Sequence, residues 1–295
     1  MSILPVAQSC SAKPASGTPR NSALQATEIQ PSKGLFDIGM GEIWRYRDLL
    51  LRLTKRDIQI LYKQAALGAG WAIIQPIFAV AIFSLVFGRF AKVPSGGVPY
   101  PLFAFAGVLL WTYFAEAVRR SATGMVSDAE LIRKVYFPRI VMPLSGVIAP
   151  LLDFALGFAV LVCLMIWYGT VPGWQLVFVP PLVLMTSLLA LCTGLWLGPI
   201  NVRFRDVKYT LAFLIQVWMY ASPVVYPLSL VPENYRWVFS LNPMVGVIEG
   251  FRWAVLGTEM PGFHSLVISF IITAIPLFWG LVFFKHMERI FADTI

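Results

Sequence analysis

Long blocks without a single Asp, Glu, Lys, Arg or His make up most of this 295-residue chain. A helix that crosses the roughly 30 Å hydrocarbon layer of a bilayer needs about 20 predominantly apolar residues. Only 13% of the residues are charged, against about 25% in soluble domains. The pattern therefore predicts an all-α integral membrane protein. The five blocks are 64–88, 93–115, 140–202 with one interruption at Asp153, 209–232 and 265–284.

The third block is too long for one membrane span. Turn-forming residues occur within it at Gly169, Pro172 and Gly173, and such clusters usually separate regular elements. Dividing the block at this point gives six predicted transmembrane helices in all.

Lys and Arg are unevenly distributed between the predicted spans. In chain order, the segments outside the spans hold 9, 2, 5, 0, 3, 2 and 2 of them, so every second segment is basic. Cytoplasmic loops of membrane proteins carry this excess, which predicts that both termini are cytoplasmic. Membrane topology therefore accounts for the formal net charge of +8, and no nucleic-acid partner is expected.

The first 33 residues are rich in Ser, Ala, Pro and Thr and contain no apolar run, a composition typical of disorder. They lack the charged and apolar regions of a signal peptide. We therefore expect a disordered polar leader over residues 1–41, an amphipathic helix over 42–64 and a six-span transmembrane domain over 65–290.

The segment 42–64 has an apolar side and a basic side at helical spacing, and Asp48 and Arg52 stand at a favourable i,i+4 spacing. Such a helix lies in the membrane interface with its cations near lipid headgroups. It can also pack against a cytoplasmic protein, and the two roles are compatible. The apolar side comprises Leu49, Leu50, Leu53, Leu61 and Tyr62, and the basic side Arg45, Arg47, Arg52, Lys55, Arg56 and Lys63.

A second short helix is predicted between the second and third spans. Ser127 and Glu130 have the spacing of a capping box, which predicts Ser127 as the N-cap, and Pro138 ends the helix. This helix is either an ordinary connector or a rigid lever that another protein contacts. Its apolar residues are Leu131, Ile132, Val135 and Tyr136, and its basic residues are Arg133 and Lys134.

The segment between the fifth and sixth spans contains an uncharged stretch of only twelve residues, 237–248, a length typical of re-entrant or interfacial segments. Asn242 and Pro243 break this stretch. Two short helices are predicted, which either dip into the outer leaflet beside an exit or lie flat on the outer surface. Glu249 and Arg252 follow at i,i+3 as a structural pair, before Trp253.

Three aromatic residues of the fifth span, Trp218, Tyr220 and Tyr226, are candidates for lining a channel. Sugar rings can stack their apolar faces on aromatic rings, and Tyr and Trp also offer hydrogen-bond donors. Lipid contact or core packing is the alternative for each of them. Asp153, near mid-membrane, is predicted to have a structural hydrogen-bonding role, because an unpartnered carboxylate at that depth is costly.

Several classes of function have no residues to support them. The chain contains no G-x-x-x-x-G-K-[ST] motif, so it has no phosphate-binding loop for ATP. No nucleophile–base set supports an enzyme, and the three Cys and two His have no metal-ligand spacing. These observations favour a pore-forming subunit that is powered by another protein.

The chain resembles the permeases of polysaccharide-exporting ABC-2 transporters, and most closely the O-antigen permeases. The resemblance covers residues 42–290 and is carried by motifs on both sides of the membrane. The motifs are LIRKVYFPR at 131–139 with PLS at 143–145, NVRFRD at 201–206, WMYASPVVYP at 218–227, LNPM at 241–244 and IEGFRW at 248–253.

The resemblance implies a type V exporter-like homodimer of six-span subunits in the bacterial inner membrane, paired with two copies of a separate P-loop ATPase that binds ATP and Mg²⁺. No cofactor is expected in this chain. The implied substrate is a lipid-linked polysaccharide of O-antigen type, moved to the periplasm. The implied ATPase-coupling residues, all within 127–137, are Ser127, Asp128, Glu130, Leu131, Arg133, Lys134, Tyr136 and Phe137.

The resemblance further assigns residues 42–63 to an interface helix and residues 237–257 to periplasmic re-entrant helices. Charge and predicted depth suggest that the interface helix meets the headgroup of the lipid linker. The interface cations are Arg45, Arg47, Arg52, Lys55 and Arg56, and the periplasmic gate residues are Trp237, Asn242, Pro243, Glu249, Arg252 and Trp253.

Two other functions remain open at this stage. A permease that exports small molecules or drugs would not need a continuous aromatic-lined tunnel. A membrane anchor that transports nothing would tolerate substitutions at Trp218 or Tyr226.

Overall fold

The computed structural model describes residues 40–63, 70–135, 137–204 and 206–294, and in these ranges every regular element is helical. The predicted leader, apart from its last two residues, lies outside them. The helices are α1 (Met40–Arg45), α2 (Arg47–Lys63), α3 (Gly70–Phe83, continued as a π-helix over Ser84–Phe90), α4 (Tyr100–Ser127), α5 (Ala129–Lys134), α6 (Val141–Ile148), α7 (Leu151–Trp167), α8 (Val179–Arg203), α9 (Val207–Tyr220), α10 (Glu233–Ser240), α11 (Pro243–Leu256) and α12 (Phe263–Thr294).

Four helical segments of the described residues are long and apolar enough to cross a membrane: Tyr100–Ser127, Val141–Trp167, Trp174–Arg203 and His264–Glu288. This confirms the all-α membrane class. The first predicted span is a shorter apolar helix, Ile74–Phe90, and the fifth is α9, with 14 residues.

Helix α4 lies at the centre of the molecule and packs against α3, α6, α7, α8, α9 and α11. The sequence of α4 explains this position, because its own side chains are apolar or small on nearly all faces, as expected for a buried helix. The second block ends at Ala115, before Glu116, yet α4 continues to Ser127. It can continue because Glu116 accepts hydrogen bonds from Arg119 and Arg120, so the charges in this helix are paired.

The division of the third block is confirmed. Helix α7 ends at Trp167, Gly169 has a left-handed φ of 68°, and the chain re-forms a helical turn at Trp174. A left-handed residue ends a helix at little cost when it is glycine.

Helix α9 covers only the first half of the fifth predicted span, 209–232. Helix α9 ends at Tyr220, and residues 221–227 are irregular. The residue before a proline disfavours helical backbone, and Ser222 and Pro223 stand at this point. Tyr226 therefore lies beyond the helix rather than within it.

The two short helices predicted after the fifth span are confirmed. Helices α10 and α11 are separated at Leu241 and Asn242, and α11 stops at Gly257, where φ is 68°. Nearly every residue of α11 is buried, and the helix packs against α4, α8 and α12. Helix α11 is therefore packed inside the protein rather than lying free on its surface.

Candidate functional site

The chain turns sharply at Asp128, between the long helix α4 and the six-residue helix α5. The predicted capping box is wrong. Ser127 is the last residue of α4, and its hydroxyl donates to the Thr123 carbonyl oxygen at 3.2 Å. Asp128 stands at the N-cap of α5 without a side-chain capping hydrogen bond. Packing carries α4 through Ser127, so the Ser127 hydroxyl bonds back along α4 instead of capping α5.

We call residues 128–139 the elbow segment. Its exposed side chains include Glu130, Arg133 and Lys134, and Lys134 pairs with Glu130 at 3.4 Å. Leu131 packs against the core. Phe137, a predicted coupling residue, is only 4% exposed, so its ring belongs to the core rather than to the exposed surface of the segment. Tyr136, another predicted ATPase-coupling residue, lies outside the described residues.

The start of the elbow segment is tied to α2. Arg56 contacts Asp128 at 2.5 Å and Asp57 at 2.8 Å. Burial works against the charged guanidinium, but the hydrogen bonds to the two carboxylates outweigh it and hold the pKa of Arg56 above its ordinary value. Arg56 was predicted as a headgroup contact, and in this structure its guanidinium pairs with two carboxylates.

The other basic residues of the interface helix remain on the surface. Asp48 pairs with Arg47 at 3.9 Å rather than with the predicted partner Arg52. The side chains of Arg45, Arg47, Arg52 and Lys55 are exposed.

The end of the elbow segment is tied to α12. The Arg139 backbone N–H donates to the Glu288 carboxylate at 3.0 Å, and its guanidinium donates to the Glu288 carbonyl oxygen at 2.6 Å. The elbow segment is thus braced at both ends, by the second helix and by the last.

We expect the Arg56–Asp128 contact to contribute measurably to stability. A double-mutant cycle with Arg56→Gln and Asp128→Asn should give a coupling free energy of about 1 kcal/mol, because both side chains are partly buried. The exposed Lys134–Glu130 pair is the matched control and should give at most about 0.5 kcal/mol in the cycle of Lys134→Gln and Glu130→Gln. Thermal unfolding of the detergent-purified variants measures both, and equal couplings would contradict the brace.

Near the N-terminal end of α4, Arg252 is completely buried. Its guanidinium donates to the carbonyl oxygens of Phe103, Pro223 and Val224 at 3.3, 2.7 and 2.6 Å. It also contacts the Glu249 carboxylate at 3.2 Å and lies 3.7 Å from the centroid of the Phe103 ring. The sequence predicts only the pair with Glu249. The carbonyl contacts depend on where α9 ends.

Asn242 makes a second connection between α11 and the irregular segment 221–227. Its side-chain oxygen accepts from the Met244 backbone N–H at 3.1 Å and from the Trp218 indole N–H at 2.9 Å. Its amide nitrogen donates to Ser222 Oγ at 2.8 Å and to the Ala221 carbonyl oxygen at 3.2 Å. Asn242 therefore caps α11 and satisfies a free carbonyl group after α9.

The three aromatic channel candidates have different environments. Trp218 packs edge-on against Trp111 and Phe114, so its ring is held within the chain. Tyr220 is 63% exposed. The Tyr226 hydroxyl donates to the Tyr220 carbonyl oxygen at 3.0 Å. Of these three side chains, Tyr220 is the one that is largely exposed.

The remaining gate residues are not gathered around Arg252. Trp237 is exposed on α10, and Trp253 packs edge-on against Trp174. Asp153 has the structural hydrogen bond that the sequence predicts, since the Tyr62 hydroxyl donates to its carboxylate. Among the described residues, His, Cys, Asp and Glu nowhere form a group of three that could hold a metal ion.

Comparison with known proteins gives a consistent family. A profile described as "ABC-2 type transporter" matches residues 48–256, from α2 to the end of α11. The chain is 29% identical over 257 residues to the O-antigen export system permease protein RfbA of Myxococcus xanthus, covering 86% of this chain and 98% of that protein.

Two further relatives match over similar lengths. The RfbA protein of Klebsiella pneumoniae is 26% identical over 250 residues, covering 84% of this chain and 95% of that protein. The polysialic acid transport protein KpsM of Escherichia coli is 28% identical over 248 residues, covering 80% of this chain and 92% of that protein.

Proposed function

We propose, because this chain belongs to the ABC-2 type transporter family, that it is the transmembrane subunit of an ATP-driven polysaccharide exporter. The names of its relatives describe O-antigen export and polysialic acid transport. The substrate of this chain is then a lipid-linked polysaccharide, carried outward across the bacterial inner membrane. The chain is not an enzyme, and a separate P-loop subunit binds and hydrolyses ATP.

In the proposed topology, α3 with its π-helix, α4, α6–α7, α8, α9 and α12 are six spans. Residues 42–64 form the interface helix, residues 65–290 the transmembrane domain and residues 1–41 a leader. Both termini and the elbow segment lie in the cytoplasm, where Lys and Arg are enriched. Helices α10 and α11 lie on the periplasmic side as re-entrant helices.

The fifth span raises a geometric question, because the 14 residues of α9 extend only about 21 Å. The irregular segment 221–227 completes the crossing. Non-helical backbone is tolerated at membrane depth only when protein or water satisfies its polar groups. Asn242 and Arg252 do so here, through the carbonyl oxygens of Ala221, Pro223 and Val224.

The observation that carries the proposal is the braced elbow segment. The segment exposes Glu130, Arg133 and Lys134. Because it is fixed at both ends, a displacement applied to this surface is transmitted to the helices that hold it. We place the ATPase on this surface. ATP binding closes two ATPase subunits against a homodimer of this chain, and Arg56 and Arg139 pass the displacement to α2 and α12.

The test is purification of the tagged chain in mild detergent with quantification of any P-loop ATPase that co-purifies. The double variant Arg133→Glu and Lys134→Glu should reduce the ATPase recovered by at least tenfold, because it reverses two charges on the docking surface. Glu233→Lys, an exposed charge change on α10, is the matched control and should retain the ATPase. A folded wild-type chain that repeatedly lacks an ATPase would refute the proposal.

The substrate is tested separately by complementation. A strain that makes the host polysaccharide but lacks this permease should accumulate the polymer inside the cell. Wild-type chain should restore the polymer to the cell surface. Restored drug resistance without surface polymer would instead identify a small-molecule exporter.

A further inference from the structure

Helix α4 is buried on nearly every side except for one polar stripe that leads to the elbow segment. Spacings of four, three, four and four residues place the members of this stripe on one helical face. The stripe runs for about 22 Å along the helix. Its members, which are exposed or partly exposed, are Thr112, Glu116, Arg119, Thr123 and Ser127.

The charged side chains of Glu116 and Arg119 make the stripe unsuited to contact with lipid hydrocarbon. Glu116 stands at the end of the second uncharged block, and an ionisable group at membrane depth faces the bundle interior or a water-filled cavity because contact with hydrocarbon is costly. In the proposed topology, Arg119, Thr123 and Ser127 follow on the cytoplasmic side of that block. The exposed face of α12 has the opposite character and consists of Phe270, Ile271, Ile275 and Phe278. The two faces therefore belong to different environments, α12 to lipid and the stripe to an aqueous path.

Thr112, Glu116 and Arg119, the N-terminal part of the stripe, line a cavity of about 610 Å³. This volume is within the size range of small-ligand sites. In the cavity, Glu116 accepts hydrogen bonds from Arg119 and Arg120, each at 2.6 Å. Tyr62 and Asp153 lie on the same wall and are hydrogen-bonded to each other. The two carboxylates and two guanidinium groups balance, so these groups give the cavity no net formal charge.

This combination of groups suits a saccharide. Carboxylates accept hydrogen bonds from sugar hydroxyls, and guanidinium groups donate to them. An apolar sugar face can pack on an indole ring, and Trp71, which lines the cavity, is 50% exposed. A neutral polar wall also lets a polymer form and break contacts without being trapped by a net charge.

We infer that the stripe and its cavity form a saccharide-binding wall in the cytoplasmic half of the polymer pathway. Glu116 and Arg119 contact the sugar hydroxyls, and Trp71 contacts a sugar face. This inference rests on the proposed function and adds the part of the chain that meets the polymer. A second copy of this chain covering the stripe is the competing occupant.

Cysteine accessibility tests the inference. Thr112→Cys and Thr123→Cys are each placed in a chain carrying Cys10→Ser and Cys163→Ser, while Cys192 is buried and stays. Inside-out vesicles are treated with a membrane-impermeant maleimide. Both stripe positions should be labelled at least tenfold faster than Ile275→Cys on α12, which is the matched control. Labelling no faster than Ile275→Cys would mean that the stripe is covered, and would overturn the inference.

The second comparison uses vesicles from hosts that make the polysaccharide and from hosts blocked in its synthesis. Labelling of Thr112→Cys should be several-fold slower when polymer is present, while Ile275→Cys should not change. Equal rates from both hosts would overturn the saccharide assignment. Failure of the wild-type chain to export polymer would instead defeat the proposed function, so the two failures are distinguishable.

Discussion

Replacing Arg252 with methionine is expected to lower the free energy of unfolding by about 3–5 kcal/mol, the usual cost of removing one partner of a buried ion pair. The variant leaves the Glu249 carboxylate without its cation and the carbonyl oxygens of Pro223 and Val224 without donors. Those carbonyls belong to the irregular part of the proposed fifth span, where hydrocarbon would offer no substitute partner. We expect most of the protein to aggregate during extraction.

Arg236→Met is the matched control for this prediction. Arg236 also donates to a backbone carbonyl, that of Val231 at 3.1 Å, but its side chain is 43% exposed. Water can replace the lost contact, so the change should cost less than about 1 kcal/mol. Detergent-extracted fluorescent fusions, heated and then analysed by size exclusion, report the fraction folded.

Arg252→Lys separates charge from geometry. Lysine keeps the positive charge for Glu249 but cannot reach three carbonyl groups in the fixed plane of a guanidinium. Its melting temperature should fall between those of the wild type and Arg252→Met. A wild-type melting temperature for Arg252→Met would show that Arg252 is not the support of the irregular segment.

Gly146→Ala is expected to destabilise the chain by about 1–3 kcal/mol, in the range of overpacked cores. A methyl group on Gly146 of α6 would lie 2.7 Å from the Ser121 backbone nitrogen and 2.9 Å from the Arg120 carbonyl carbon. Both atoms belong to the backbone of α4, which cannot move aside as a flexible side chain would. The two helices would have to separate at their crossing.

Gly124→Ala, on the facing helix α4, is the control. Its added methyl group would meet only the Met142 carbonyl oxygen, at 4.0 Å. Since alanine favours a helix interior over glycine by up to about 1 kcal/mol, stability should stay constant or rise slightly. Thermal unfolding of the two purified variants decides the matter, and similar losses in both would contradict the close crossing of α4 and α6.

The sequence predicts this fold best where local chemistry decides the outcome. Asn242 and Pro243 start a helix, and Gly257 ends one, because caps and left-handed glycines act within a few residues. The capping box at Ser127 fails for the opposite reason. Tertiary packing extends α4 through that residue, and a local signal cannot reveal such an override.

The contacts of the proposed site were harder to predict because they join distant parts of the chain. Arg56 meets Asp128 across 72 positions, and Arg139 meets Glu288 across 149. A basic residue on an amphipathic helix looks the same in sequence whether it faces a headgroup or a carboxylate. The polar stripe of α4 was not predicted either, because its residues stand out only once the rest of the helix is known to be buried.

The brace between Arg139 and Glu288 also has a consequence for biosynthesis. A chain emerges from the ribosome N-terminal end first, so the elbow segment is made long before α12. Arg56 can bind Asp128 as soon as the elbow segment is made. Arg139 can bind Glu288 only after α12 has been synthesised. An ATPase that needs the braced surface would therefore bind only to fully synthesised subunits. ATP hydrolysis could then not act on an incomplete permease.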